Sequence, residues 1–137
     1  MDLPNLGYRP LTEEILHRIR EGVGEKALIL DSHTRETLGK DATELSYLPE
    51  AVVEATSVEQ VEFLIRLANE YRFPVTPRGT GTGLTGGSVP VFGGVTLSLS
   101  RLNRIFNLDP DNFIAVVEPG VITGDLKRDA RELGRFH

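Results

Sequence analysis

The run PVTPRGTGTGLTGGSVPVFGGV, from Pro74 to Val95, constrains the fold of this chain more than any other stretch. Seven of the chain's 14 glycines lie between Gly79 and Gly94, and no helical or alternating apolar period continues through them. Glycine is used where the backbone needs a positive φ or where another group approaches it closely. The sequence therefore predicts a loop with unusually accessible backbone between two regular elements.

The residues before this loop read as a strand, a helix and a second strand. AVVEA (51–55) is a short strand, and the helix that follows begins with Ser57 and Gln60 at capping-box spacing. FPVTP (73–77) is the second strand, and so short a crossover predicts parallel strands with a right-handed connection. The loop thus leaves the carboxyl end of a parallel strand, where open α/β sheets bind ligands. Helical spacing predicts the apolar face of the helix at Val58, Val61, Leu64, Ile65 and Ala68.

The flanking segments supply further elements. Thr12 is placed to cap a helix that ends near Gly22 or Gly24, ALIL (27–30) is a candidate strand, and residues 31–50 read as a polar connection. After the loop, VTLSLS (95–100) alternates as a strand does. A hairpin is predicted next, with its turn at residues 109–112.

The last helix is expected to begin with Thr123 as its cap and to carry Leu126, Ala130 and Leu133 on one face. The predicted fold class is α+β, with a small parallel or mixed sheet that contains a βαβ unit and is flanked by helices. Residues 1–46 are interpreted as an N-terminal helical extension, and residues 47–137 as the principal subdomain.

Composition excludes several kinds of function. The formal charge is −5 and no basic block is present, so no nucleic-acid partner is expected. The absence of cysteine excludes thiolate chemistry within this chain. No apolar run approaches the roughly 20 residues of a membrane span, and the first residues do not read as a signal peptide. We therefore expect a cytoplasmic protein without a transmembrane segment.

The glycine-rich loop favours an anion site, since exposed N–H groups in such a loop form a concavity suited to phosphate. A P-loop is excluded, because no lysine and hydroxyl residue follow the last glycine. Gly81, Gly83 and Gly86 match G-x-G-x-x-G, but no helix opens behind them to receive a pyrophosphate. A plain surface loop is the alternative reading. The three histidines, His17, His33 and His137, are scattered, and we assign no catalytic residue and no metal ligand.

The run PVTPRGTGTGLTGGSVP, with YLPEAVVEATSVEQVEFLIRLANEYRFPV before it and RLNRIFNLDPDNFIAVVEPGV behind, resembles the FAD-binding domain of the p-cresol methylhydroxylase and vanillyl-alcohol oxidase superfamily. The resemblance is greatest to the group of glycolate oxidase flavin subunits and D-lactate dehydrogenases, and it covers about residues 41–136. It implies that the loop wraps the pyrophosphate of FAD. The cofactor-binding residues implied in this way are Pro77, Arg78, Gly79, Thr80, Gly81, Thr82, Gly83, Leu84, Gly87 and Gly120.

Two of these residues have structural alternatives. Arg78 could be a structural salt-bridge partner, and Thr82 could stabilise a turn. Covalent members of the superfamily carry a histidine that attaches the flavin, and Thr82 stands at the corresponding position here. The resemblance therefore implies FAD held without a covalent bond through this loop.

The activity that the resemblance implies is oxidation of a 2-hydroxy acid of the glycolate or D-lactate type, with hydride passing from the α-carbon to FAD. In the family, the catalytic groups and the second FAD-binding stretch lie beyond position 137. We therefore expect the chain to be an N-terminal fragment that is inactive alone and prone to self-association. The alternatives are another flavoenzyme of the superfamily (a sugar-lactone oxidase, an ether-lipid synthase or a cell-wall-precursor reductase) and a non-enzymatic anion-binding accessory subunit.

Overall fold

The computed structural model describes residues 4–134, which form two sheets and four helices. The helices are α1 (Glu13–Val23), α2 (Ser32–Leu38), α3 (Val58–Tyr71) and α4 (Thr123–Glu132). The strands are β1 (Leu28–Ile29), β2 (Ala51–Glu54), β3 (Val75–Arg78), β4 (Val95–Ser98), β5 (Ile105–Asp109) and β6 (Ile114–Val117).

The larger sheet has the strand order β1-β2-β4-β3. Strands β2 and β3 both run parallel to β4, whereas β1 runs antiparallel to β2. The predicted α+β class with a mixed sheet is confirmed. β2 and β3 are parallel as predicted, but β4 lies between them, because the chain passes through the glycine-rich run and returns to pair with both. The predicted hairpin is a separate two-stranded sheet of β5 and β6.

One face of the larger sheet forms the core with α1 and α3. Ile19, Val53 and Leu64 are fully buried there. The predicted apolar face of α3 was partly wrong, because α3 buries Leu64, Leu67 and Ala68 and leaves Val58 and Ile65 63% and 41% exposed. The buried set is spaced i, i+3 and i+4, so the stripe is narrower than the one read from the sequence.

The helix termini follow the sequence in two cases. The Thr12 hydroxyl accepts from the Ile15 N–H, and α3 begins with the predicted capping box of Ser57 and Gln60. The prediction that Thr123 caps α4 was wrong: Ile122 is the N-cap residue, no side chain bonds the helix end, and Thr123 is the first helical residue. The terminus is therefore capped by no side chain of the described residues.

Helix α2 lies where a polar connection was expected. The Asp31 carboxylate accepts a 2.8 Å hydrogen bond from the Thr34 N–H and caps it. None of its residues is buried, so it has no apolar face for a periodicity to show.

Within residues 4–46, several side chains share the core of the sheet. Ile19 and Leu28 belong to the same buried cluster as Val53 and Leu64, and β1 pairs with β2. The division at residues 46 and 47 stays a prediction. Within residues 4–134, no helix has the length and apolar character that crossing a bilayer requires.

Candidate functional site

The glycine loop, defined here as residues 79–87, begins where β3 ends at the carboxyl edge of the sheet. The Arg78 carbonyl accepts a 2.8 Å hydrogen bond from the Leu99 N–H, which fixes the start of the loop beside β4. At the far end of the glycine-rich run, the Gly94 N–H donates to the Glu50 carboxylate at 3.0 Å. The other oxygen of that carboxylate accepts from the Leu11 N–H at 2.9 Å. Both ends of the run are thus tied to the sheet and to its flanking segment.

The backbone N–H groups of residues 79–85 have no acceptor anywhere in the described part of the chain. Backbone–backbone hydrogen bonding resumes after the loop, where the Val89 N–H donates to the Gly86 carbonyl at 3.1 Å. Buried backbone donors are nearly always paired, so consecutive unpaired ones must face solvent or a ligand. These groups are the donors that an anion would need.

The glycines of the loop are of two kinds. Gly81 and Gly86 have φ values of +75° and +74°, which side chains rarely adopt. Gly79, Gly83 and Gly87 lie outside that region, and a Cβ on Gly83 would meet nothing within 4 Å. At Gly79 and Gly87 the nearest atoms would be ordinary contacts at 3.8 and 3.9 Å. Neither the backbone nor protein packing explains these three glycines, so the space beside them suits a ligand that must approach closely.

Arg78 lies beneath the loop and is only 8% exposed. Its Nη1 donates to the Lys40 carbonyl oxygen, and a Cβ on Gly81 would lie 2.0 Å from its Nη2. Burial lowers the pKa of its guanidinium from the ordinary value, and the charge of Asp41 opposes that shift. An arginine remains protonated even so. Of the two roles open for Arg78, the structure shows contacts typical of the structural one.

The other predicted loop residues are exposed on the same edge of the sheet. The hydroxyls of Thr80 and Thr82 are hydrogen-bonded to each other at 3.4 Å, which places both on the same side of the loop. Leu84 is 76% exposed, which is unusual for a large apolar side chain in an ordered loop. Pro77 lies within β3 and pairs with Leu97 at the edge of the sheet. A proline is tolerated there because the outer side of an edge strand needs no donor.

Gly120 is brought beside the start of the loop, although its own N–H is already bonded. That N–H donates to the Leu102 carbonyl at 2.7 Å. A Cβ on Gly120 would lie 2.4 Å from the Leu99 carbonyl oxygen and 2.7 Å from that of Leu102. Gly120 therefore allows close backbone packing and has no N–H free to donate to a ligand.

A cleft of about 140 Å³ lies between Gly120 and Thr80. Three further polar residues line it: Ser100, Asn103 and Asp125. Sequence reasoning missed them, because they follow β4 or begin α4 and only the fold brings them to the loop. The α4 terminus, which lacks a side-chain cap, opens beside the same cleft.

Glu118 holds the base of the hairpin next to this cleft. It is 6% exposed, and its carboxylate accepts from the Arg104 backbone N–H at 2.7 Å and from Arg104 Nη2 at 2.8 Å. Hydrogen bonds from the Arg104 side chain and backbone lower the pKa of Glu118 from its ordinary value. The segment 118–120 beside the cleft is therefore held by a buried carboxylate as well as by the close packing of Gly120.

The histidines are dispersed in the described residues as well. His17 lies on α1, where its Nε2 is 3.4 Å from the Glu21 carboxylate, and His33 lies in α2 rather than in an irregular connection. His137 lies outside the described residues.

A glycine loop with unpaired N–H groups, at the carboxyl edge of a parallel βαβ unit, defines a domain suited to a phosphate-bearing cofactor. Comparison with known proteins specifies the cofactor. The chain belongs to an FAD binding domain family, whose match covers residues 49–137.

Curated relatives agree with this assignment. The chain is 36% identical over 132 residues to a D-lactate dehydrogenase of Anaerostipes hadrus, covering 95% of this chain and 28% of that protein. It is 30% identical over 128 residues to the glycolate oxidase subunit GlcD of Bacillus subtilis, covering 93% and 27%. The chain thus spans about a quarter of the length of these relatives.

The fold also matches solved structures. A crystal structure of p-cresol methylhydroxylase with substrate bound superposes with a TM-score of 0.77 at 28% identity, covering 93% of this chain and 26% of that one. The superfamily resemblance read from the loop and its flanks is thereby confirmed, and FAD is the cofactor of this family of domains.

Proposed function

We propose that the glycine loop binds the pyrophosphate of FAD through the N–H groups of residues 79–85. The observation that carries this proposal is that these donors are unpaired while Gly79, Gly83 and Gly87 leave space that no protein atom uses. A diphosphate is an anion that accepts several hydrogen bonds at close range, so it needs both features together.

The predicted site residues contribute in different ways. Gly79, Gly81 and Gly83 present N–H groups, and the Thr80 and Thr82 hydroxyls add donors on the same side. The remaining residues shape the site: Pro77 and Arg78 at the start of the loop, Leu84 and Gly87 within it, and Gly120 across the cleft. Leu84 is exposed enough to be covered by a bound cofactor.

FAD is held without a covalent bond through this loop, since Thr82 stands where covalent relatives carry histidine. A threonine hydroxyl forms no stable link to a flavin methyl group, but it donates a hydrogen bond well. Bound FAD supplies the hydride acceptor, and this chain orients it and contributes no reacting group.

The intact enzyme oxidises a 2-hydroxy acid of the glycolate or D-lactate type. The proteins named D-lactate dehydrogenase and glycolate oxidase subunit support this assignment. The 137-residue chain contains no catalytic residue that we can assign, so it turns over no substrate alone. Exposed apolar side chains of the hairpin, Phe106, Ile114 and Val116, favour self-association of the isolated chain.

The experiment is a titration of the purified chain with FAD, ATP and inorganic phosphate. The proposal predicts that FAD binds at least tenfold more tightly than either competitor and that no dye is reduced with glycolate or D-lactate. Equal affinity for all three would indicate a general anion-binding accessory subunit instead. Stoichiometric yellow protein that reduces a dye with either acid would contradict the assignment of an inactive chain.

A further inference from the structure

The glycine loop rests on a supporting segment, residues 39–47, that sequence reasoning treated as a plain connection. The segment is closed on itself: the Tyr47 N–H donates to the Gly39 carbonyl at 3.0 Å, and Lys40 and Ser46 form a β-bridge. A Cβ on Gly39 would lie 2.1 Å from the Tyr47 carbonyl oxygen, so this closure is tight.

The supporting segment contacts the loop at both of its positive-φ glycines. At Gly81 the contact is made through Arg78, whose guanidinium lies beneath this glycine and donates to the Lys40 carbonyl. At Gly86 it is made by Leu45, whose Cδ1 lies 3.3 Å from the place of a Cβ. The two points where the loop turns into the left-handed region are therefore the two points where it is supported.

Asp41 links these contacts. Its Oδ1 accepts the Thr43 N–H at 2.8 Å and the Thr43 hydroxyl, which fixes the carboxylate within the segment. Its Oδ2 is buried and has no hydrogen-bond partner among the described residues, and the same holds for Nε of Arg78. A buried acceptor of the supporting segment and a buried donor beneath the loop are thus both unpaired, and the charge of Asp41 partly offsets the cost of burying the Arg78 guanidinium.

The pKa of Asp41 is lowered by its hydrogen bonds and by the charge of Arg78. Hydrogen bonds from the Thr43 side chain and backbone lower the pKa of Asp41, burial opposes this shift, and the charge of Arg78 lowers the pKa further. The carboxylate is therefore ionised at neutral pH, in the segment whose Lys40 carbonyl accepts from Arg78 and whose Leu45 lies beside Gly86.

We propose that Asp41 and Arg78 are positioning residues that hold the glycine loop in its cofactor-ready conformation, and that Arg78 supports the loop rather than binding phosphate. The inference rests on the proposed FAD site. A loop that is already ordered, with its N–H groups unpaired, loses less conformational entropy when FAD binds. Asp41 and Arg78 therefore increase cofactor affinity by preorganisation.

The test measures ¹⁵N relaxation order parameters of the loop amides in D41N and R78Q variants of the chain. The matched controls are E54Q and R101Q, because Glu54 and Arg101 form an ion pair at 3.4 Å between side chains that lie outside the loop and the supporting segment. The wild type and both controls should give order parameters of about 0.85 for residues 79–87, and both variants values below about 0.6. The FAD dissociation constant, measured by titration, should rise about tenfold in D41N and R78Q and stay unchanged in the controls.

A purely structural role of the pair would lower the thermal midpoint and shift amide resonances of the sheet, with no selective loss of order in the loop. Loop order parameters equal to wild type in D41N would overturn the proposal. D41N is nearly isosteric, so it keeps the test decisive if R78Q does not fold. If the wild type bound no FAD, the proposed function would fail, while the order parameters would still decide whether the pair holds the loop.

Discussion

The glycine loop and the two packed junctions at Gly94 and Gly120 use the same amino acid for opposite reasons. At the junctions a Cβ would lie 2.2 Å from the Pro74 carbonyl oxygen and 2.4 Å from that of Leu99. In the loop, a Cβ on Gly83 would meet nothing within 4 Å. Glycine is thus required at the junctions by the protein itself, whereas in the loop it leaves room for a ligand. Substitution by alanine separates the two reasons, because one lowers stability and the other lowers cofactor affinity.

The largest effect is expected for Gly94→Ala. Gly94 has a φ of +63° and a backbone oxygen against its open side, so strain and overpacking add. We expect a loss of about 4 kcal/mol in the free energy of unfolding, measured by urea denaturation. Gly24→Ala is the control, since Gly24 has a φ of +92° but no atom within 4 Å. A smaller loss for Gly94→Ala than for this control would show that the packing at the junction is not tight.

Gly120→Ala should cause the next largest loss in the free energy of unfolding. The φ of Gly120 is not in the left-handed region. Only overpacking against the carbonyls of Leu99, Ser100 and Leu102 opposes the new methyl group, so the loss should be about 2 kcal/mol. Gly124→Ala serves as control, because Gly124 lies in α4 with only an Ile122 methyl group at 4.0 Å. That control should stabilise the chain slightly through helix propensity. Equal stabilities of the two variants would contradict the assigned role of Gly120.

For Gly83→Ala we expect the reverse pattern. The free energy of unfolding should change by less than about 0.5 kcal/mol, because nothing in the protein meets the methyl group. The FAD dissociation constant should rise at least tenfold, equivalent to about 1.4 kcal/mol. Gly81→Ala, in which φ is +75° and the Arg78 guanidinium is adjacent, should lower both stability and affinity. Unchanged FAD affinity in Gly83→Ala would show that the space in the loop is not used by the cofactor.

The smallest expected effect is the pH dependence of stability that comes from the Glu118 carboxylate, beside the junction at Gly120. The pKa of Glu118 is lower in the folded chain than its ordinary value of 4.5. The ionised carboxylate therefore stabilises the fold fully at pH values above 4.5, and this stabilisation is lost as the pH falls through the folded pKa. Glu118→Gln should therefore be less stable than wild type at pH 7, and the difference should shrink toward pH 3. Parallel stability curves for the two proteins would contradict this account. Glu54→Gln, with its exposed partner Arg101, is the control.

The sequence predicted elements that local chemistry determines. The capping box of Ser57 and Gln60 and the hairpin turn at residues 109–112 were confirmed, since each depends on neighbouring residues alone. Helix α2 was missed because a solvated helix with no buried residue leaves no apolar period. The position of β4 between β2 and β3 is a property of tertiary pairing, which no local pattern contains.

In the candidate site, too, the sequence predicted the local motif but not the contacts made by tertiary folding. The motif located the loop, but it could not separate glycines that face a ligand from glycines that face the protein. Arg78 was equally compatible with a phosphate contact and a structural role, and its contact with the Lys40 carbonyl and its position beside Gly81 show where its guanidinium lies. Residues such as Asn103 and Asp125 reach the cleft through folding alone.

The most direct test of the cofactor site is a titration of the ¹⁵N-labelled chain with FAD, followed through its amide resonances. The free N–H groups of residues 79–85 should show the largest shifts, with smaller ones near Gly120 and none in α1. The same loop resonances should move when pyrophosphate alone is added at higher concentration. Saturable FAD binding that leaves residues 79–85 unshifted would contradict the assignment of this loop as the pyrophosphate site.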